Sequence, residues 1–162
     1  MIVIADTSPI NYLVLIGSDH LLPALFGRVV IPQGVLRELA HSASPPRVRD
    51  WASNLPAWID VRAAVTSDPT LHWLGPGERE GLALAQEIGA DLILIDDLPA
   101  RLEAEKRRLK VTGTLGILRD ASKRDLVDLP EALQSLRSTS FYAPASLISD
   151  LLREDAQRRG NS

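Results

Sequence analysis

The chain contains no cysteine, which excludes disulfides, thiolate zinc sites and thiol nucleophiles. Histidine is scarce as well: His20, His41 and His72 are scattered without ligand spacing, so any metal the protein holds must sit on oxygen. No apolar run approaches the roughly 20 residues that a bilayer span needs. Met1 leads straight into a short apolar segment, with no charged n-region, no separate h-region and no small-residue cleavage site. A cytoplasmic protein without a membrane partner is therefore expected. Positive charge is not in excess: the net charge of -3 argues against nonspecific coating of nucleic acid but leaves room for a local basic patch. Internal repeats and low-complexity tracts are also absent. A chain of 162 residues suits one domain with a core of its own, which we read over residues 1–157, with 158–162 as a disordered tail.

What the chain does contain is alternation of short apolar runs with helical periodicity. Strands are expected at Ile2 to Ala5, Val29 to Ile31, Trp58 to Val61, Leu92 to Ile95 and Lys110-Val111. Helices are expected at Pro9 to Ile16 behind a Ser8 cap, at Leu21 to Phe26, and after Pro32, with Val35, Leu36 and Leu39 as a buried stripe. Further helices follow at Val48 to Asn54, Glu78 to Ile88 closed by Gly89, Leu98 to Leu109, Leu115 to Ser122, Pro130 to Leu136 and Ala145 to Ala156. Such alternation implies an α/β fold, a central parallel sheet of four to five strands with helices on both faces, because parallel strands need crossover connections. Five of the eleven prolines and all three tryptophans fall between His41 and Pro76, the least regular stretch. Trp51, Trp58 and Trp73 are read there as anchors or interface residues rather than base-stacking platforms.

The acids carry the chemistry. Asp6 ends the first strand and Asp96-Asp97 end a later one, which places carboxylates at the strand edge where α/β sheets bind ligands. Glu38 lies in the helix after the second strand, off its apolar stripe, and Glu78 and Glu80 occupy the first turn of a helix behind Gly75-Pro76-Gly77. Each has a plain structural explanation taken alone: first-turn glutamates complement a helix dipole, Glu38 suits an exposed helix face and Asp6 could cap the next helix. Their conjunction favours a cluster that holds a hard cation.

Five motifs in order carry a resemblance: the strand with Asp6-Thr7-Ser8-Pro9, Ile31-Pro32 with Glu38, Gly77-Glu78-Arg79-Glu80-Gly81-Leu82-Ala83-Leu84-Ala85, Ile95-Asp96-Asp97 with Arg101, and Thr112-Gly113-Thr114-Leu115-Gly116. The chain resembles the PIN-domain nucleases, and more narrowly the VapC-like toxin homologues with a glycine-glutamate-x-glutamate helix start and a double aspartate. The resemblance implies an Mg²⁺- or Mn²⁺-dependent endoribonuclease, the toxin of a toxin–antitoxin pair, with an RNA substrate, an antitoxin partner and a homodimer. Asp6 and Glu38 match the first two family acids. Glu80 fits the third best, with Glu78 as the neighbouring choice, and Asp97 is preferred over Asp96 for the fourth. Ser8 matches a small hydroxyl residue near the metal, and Arg101 would contact phosphate.

Other cations on the Arg101 helix, Lys106, Arg107, Arg108 and Lys110, interleave with Glu103 and Glu105 as on a solvated face. Two rival functions fit parts of the pattern. A haloacid-dehalogenase-like phosphatase would use Asp6 as nucleophile, but needs a second acid two residues later, where Ser8 stands. A degenerate module would bind RNA or an antitoxin without cleavage, although here all four acid positions are filled.

Overall fold

A computed structural model describes residues 1–160. Five strands form one parallel sheet: β1 (Val3–Ala5), β2 (Val29–Pro32), β3 (Ile59–Arg62), β4 (Leu92–Leu94) and β5 (Val111–Thr112), in the order β3-β2-β1-β4-β5. The central strand β1 pairs Ile4 with Val30 on one side and with Ile93 on the other. Strands β1 and β2 are buried throughout and contain only apolar residues, as a sheet covered on both faces requires, while the edge strand β5 is partly buried and β3 opens to solvent toward its end. The expected α/β class, strand number and parallel direction are all found.

Nine α-helices among the described residues connect and cover the strands: α1 (Thr7–Leu15), α2 (Leu21–Phe26), α3 (Gln33–Ala40), α4 (Pro46–Ser53), α5 (Pro76–Ile88), α6 (Leu98–Lys106), α7 (Thr114–Lys123), α8 (Leu129–Arg137) and α9 (Ala145–Gly160). Alternating strand residues feed two cores. Val3, Ala5, Val29 and Ile31 pack with Ile10, Leu39, Ile117 and Leu133 on one face. Ile4, Val30 and Ile93 pack with Leu82, Leu84 and Ala100 on the other. Gly89 closes α5 in the left-handed region, at φ 62°. No helix among the described residues is long and apolar enough to cross a membrane.

Most boundaries shift by one or two residues, and three of the differences have a clear physical origin. Helix α1 starts at Thr7 with Asp6, not Ser8, at its N-cap position, so Ser8 turns inward from the first helical turn. Helix α6 stops at Lys106 because Arg108 adopts φ 61°, which delays β5 by one residue. Helix α9 runs to Gly160, so the tail expected from Arg158 is helical to that point: Arg158 reaches Glu154 at 3.0 Å and Asp155 at 3.4 Å. Asp155 is itself buried and accepts from Ser122 at 2.6 Å, which ties α9 to α7; positions 161 and 162 lie outside the described residues. In the irregular stretch, Trp51 and Trp58 pack together with ring centroids 6.2 Å apart, whereas Trp73 stays half exposed.

Candidate active site

The connection from β1 leads to β2 on one side of the sheet, and that from β4 leads to β5 on the other. The carboxyl ends of β1 and β4 therefore flank the point where the winding reverses, where open α/β sheets form a crevice. Asp6 follows β1 and Asp96 follows β4 by two residues, so the two acids stand on the two lips of that crevice. The cleft over Asp6 is lined also by Thr7, Ser8, Asn11, Tyr12, Glu38 and Glu78.

Hydrogen bonds fix which acids face inward. Ser8 Oγ and Thr114 Oγ1 both donate to Asp96 Oδ2, at 2.8 and 2.7 Å, while the Thr114 amide donates to Oδ1 at 2.7 Å. Asp96 thereby joins the start of α1 to the start of α7. Glu38 takes Thr7 Oγ1 on one oxygen at 2.6 Å and the Gly77 amide on the other at 3.1 Å. Its partner in symmetry is Glu80, which accepts the Gly34 amide at 2.9 Å. Helices α3 and α5 thus cap one another's N-termini, each offering a glutamate to the other's first-turn amides.

That reciprocity corrects one expectation. Glu80 is turned toward the start of α3, with Arg37 at 3.9 Å, and does not line the Asp6 cleft; Glu78 does. A second expectation changes similarly. Asp97 is the exposed N-cap of α6, accepting from the Ala100 amide at 3.1 Å, while Asp96 occupies the inward position. A signal for this lay in the sequence: Asp97-Leu98-Pro99 repeats as Asp128-Leu129-Pro130, and Asp128 likewise caps its helix by accepting from the Glu131 amide at 3.0 Å. Thr7, Asn11, Tyr12 and Thr114 were not singled out from sequence, although Thr7 and Thr114 sit inside the quoted motifs.

The electrostatics follow from burial. Asp6 is 6% exposed, and desolvation first, then the charges of Glu78, Glu38 and Asp96, push its carboxyl up to about 7 against a partial offset from the Thr7 amide. Glu78 is raised for the same reasons, burial first, then Asp97 and Glu38. Arg101 is the nearby cation. A Cβ built on Gly113 would sit 2.7 Å from Asp96 Oδ1 and 3.0 Å from Arg101 Nη1, so both side chains reach the space that this glycine leaves open.

Gly77 plays the matching role on the other side: a Cβ there would lie 2.6 Å from Glu38 Oε1 and 3.4 Å from Asp6 Oδ1. Gly77→Ala should therefore displace Glu38 while gaining up to about 1 kcal/mol in helix propensity, which offsets the cost of the lost cap. The expected result is a melting midpoint within a few degrees of wild type with nuclease activity reduced at least about tenfold. Full activity in this variant would show that Glu38 need not approach the α5 N-terminus.

A family model for the PIN domain matches residues 2–157. The chain belongs to the PIN-domain family. PIN domains are generally nucleases that use divalent metal ions, which agrees with the acids at the crevice. Among solved structures, the chain is similar to a PilT N-terminus domain protein from the hyperthermophilic archaeon Sulfolobus solfataricus P2. The two are 14% identical over 89% of this chain and 100% of that one, with a TM-score of 0.49. No curated protein matches the chain.

The donors fit a hard divalent cation in kind, since every acid at the cleft offers oxygen. Their spacing is looser than a closed cage: among the described residues no group of three or more His, Cys, Asp or Glu is arranged to hold a metal ion. A magnesium ion characteristically uses only one or two carboxylates and completes its shell with water and phosphate, a requirement this PIN domain's cleft can meet.

Proposed function

We propose that this PIN domain is a metal-dependent endoribonuclease of the VapC-like toxin type, cleaving RNA by hydrolysis at the Asp6 cleft. The observation that carries the reading is the buried Asp6 facing Glu38, Glu78 and Asp96 at the switch point of the sheet. A buried carboxyl held up to about 7 in the company of like charges is stabilised in its charged form by a cation, which supports Asp6 as a ligand over Asp6 as packing. Asp6 and Asp96 would hold Mg²⁺ or Mn²⁺, with Glu38 and Glu78 orienting water around it. When bound, the cation supplies an easily deprotonated water and offsets charge building on the phosphoryl group. Ser8 and Thr114 hold Asp96 in place, and Arg101 contacts a phosphate oxygen.

The test is incubation of purified protein with single-stranded RNA in Mg²⁺, in Mn²⁺ and in EDTA. Internal cleavage in either metal, lost in EDTA, is expected; intact RNA in all three overturns the reading. The toxin role, an antitoxin partner and a homodimer belong to the same proposal. A small upstream antitoxin frame, co-purification with its product and dimeric sedimentation are the corresponding expectations.

One observation favours a second reading. Both oxygens of Glu38 and of Asp96 are already engaged by protein donors, as in a site that has given up its metal and kept its shape. A degenerate PIN domain of this kind would bind RNA or an antitoxin with the same affinity in EDTA as in Mn²⁺, and would cleave neither single-stranded nor structured RNA.

A further inference from the structure

A second cleft shares Asp96 and Arg101 with the site above while its aromatic wall takes no part in that chemistry, and the geometry points to a nucleobase subsite on this wall, with Tyr142 stacking on the base next to the scissile phosphate of an RNA strand. The inference rests on the nuclease reading of the Asp6 cleft. The cavity has a volume of about 480 Å³, within the range of sites that enclose a small molecule, and is lined by Leu115, Phe141, Tyr142 and Leu147 together with Asp96 and Arg101.

Two structural bridges make it continuous with the acidic cleft. Asp96 lines the second cleft and is bonded to Ser8, which lines the first. Tyr12 lines the first cleft, and its ring meets Phe141 of the second edge-on, with centroids 5.0 Å apart at 79°. The Tyr12 hydroxyl also hydrogen-bonds Ser140 Oγ at 2.9 Å, which fixes the segment that leads into the second cleft. The aromatic wall is therefore in direct contact with the lining of the acidic cleft.

The lining selects a nucleotide over other occupants. Tyr142 is 83% exposed and Leu147 43% exposed, an aromatic ring and an aliphatic side chain standing in water where a planar base would cover them. The Arg101 guanidinium makes no hydrogen bond or ion pair to any described residue, although the side chain is partly buried beside Asp96. An apolar helix or a second copy laid in the cleft would cover Tyr142 but leave that guanidinium desolvated and unpaired. A nucleotide satisfies both, its base on the ring and its phosphate on Arg101.

The measurement is fluorescence anisotropy with a labelled single-stranded oligoribonucleotide and with an abasic ribose-phosphate oligomer of the same length, in Mn²⁺. Asp6→Asn is the background, so that cleavage does not consume the probe. The abasic oligomer is expected to bind about tenfold more weakly than the RNA, since one stacked base contributes about 1–3 kcal/mol, or roughly five- to a hundredfold and more. Tyr142→Ala should erase the difference and Tyr142→Phe should keep it, a contrast that a merely structural role for an exposed side chain would not produce. RNA affinity unchanged in Tyr142→Ala overturns the subsite. So does a dimer that Tyr142→Ala dissociates without altering RNA binding, which would give the face to a second copy. Base-dependent binding by a wild-type protein that never cleaves would leave the subsite standing and remove the nuclease.

Discussion

Asp6→Asn is expected to abolish RNA cleavage and, in EDTA at pH 8, to melt at a higher temperature than wild type. The first effect comes from losing the buried charge that attracts the cation. It should be at least as large as the loss of a single charge-stabilising group from an active site, about 10²–10³-fold. The second comes from the same burial. The native carboxyl titrates at about 7, well above the ordinary value of 3.8 that it regains on unfolding, so the native state binds the proton more tightly. That preference stabilises the fold fully below the unfolded value and is lost as pH rises through about 7. At its full value the loss is about 4 kcal/mol, most of it spread between pH 4 and pH 7. Asparagine has no charge to bury and escapes this loss. With Mn²⁺ in hundredfold excess over Kd the wild type gains about 2.7 kcal/mol that the variant forfeits, which narrows or reverses the order. Thermal melts of both proteins at pH 5 and pH 8, in EDTA and in Mn²⁺, read all of this. A wild-type midpoint that ignores Mn²⁺ up to millimolar concentration would shift the assignment to a degenerate binding domain.

Asp6 was legible because its information is local: an apolar run that ends in an acid at the start of an α/β chain fixes both the strand and the edge it points to. Asp96 and Asp97 were legible as a pair but not individually, because the choice depends on where α6 begins. The Asp-Leu-Pro pattern decides it, since proline near the helix start leaves the preceding aspartate to accept the third amide. Glu38 was legible as an acid off an apolar stripe, yet nothing local says that it reaches the α5 amides. That contact joins residues 39 positions apart and depends on how α3 packs against α5. The second cleft was invisible for the same reason: Asp96, Leu115 and Phe141 come from three distant segments that meet only once the sheet has formed.

Glu78 and Glu80 present the sharpest case, and substituting each should give opposite results. Residues two apart on a helix point to nearly opposite sides, so only one of the pair can face a given neighbour. The packing of α5 against α3 and the sheet sends Glu78 into the Asp6 cleft and Glu80 to the Gly34 amide. Glu78→Gln should therefore lower cleavage on the order of a hundredfold with no loss of melting temperature, because it removes a half-buried charge that acts on the site and leaves the packing alone. Glu80→Ala should do the reverse. It strips the α3 N-terminus of its cap, about 1 kcal/mol, or a few degrees in midpoint for a domain of this size, while Arg37, being exposed and 3.9 Å away, adds little. Its cleavage rate should stay within about threefold of wild type. Loss of activity in Glu80→Ala together with full activity in Glu78→Gln would restore the assignment that the motif alone suggests. It would mean that α5 turns about its axis when metal and RNA bind.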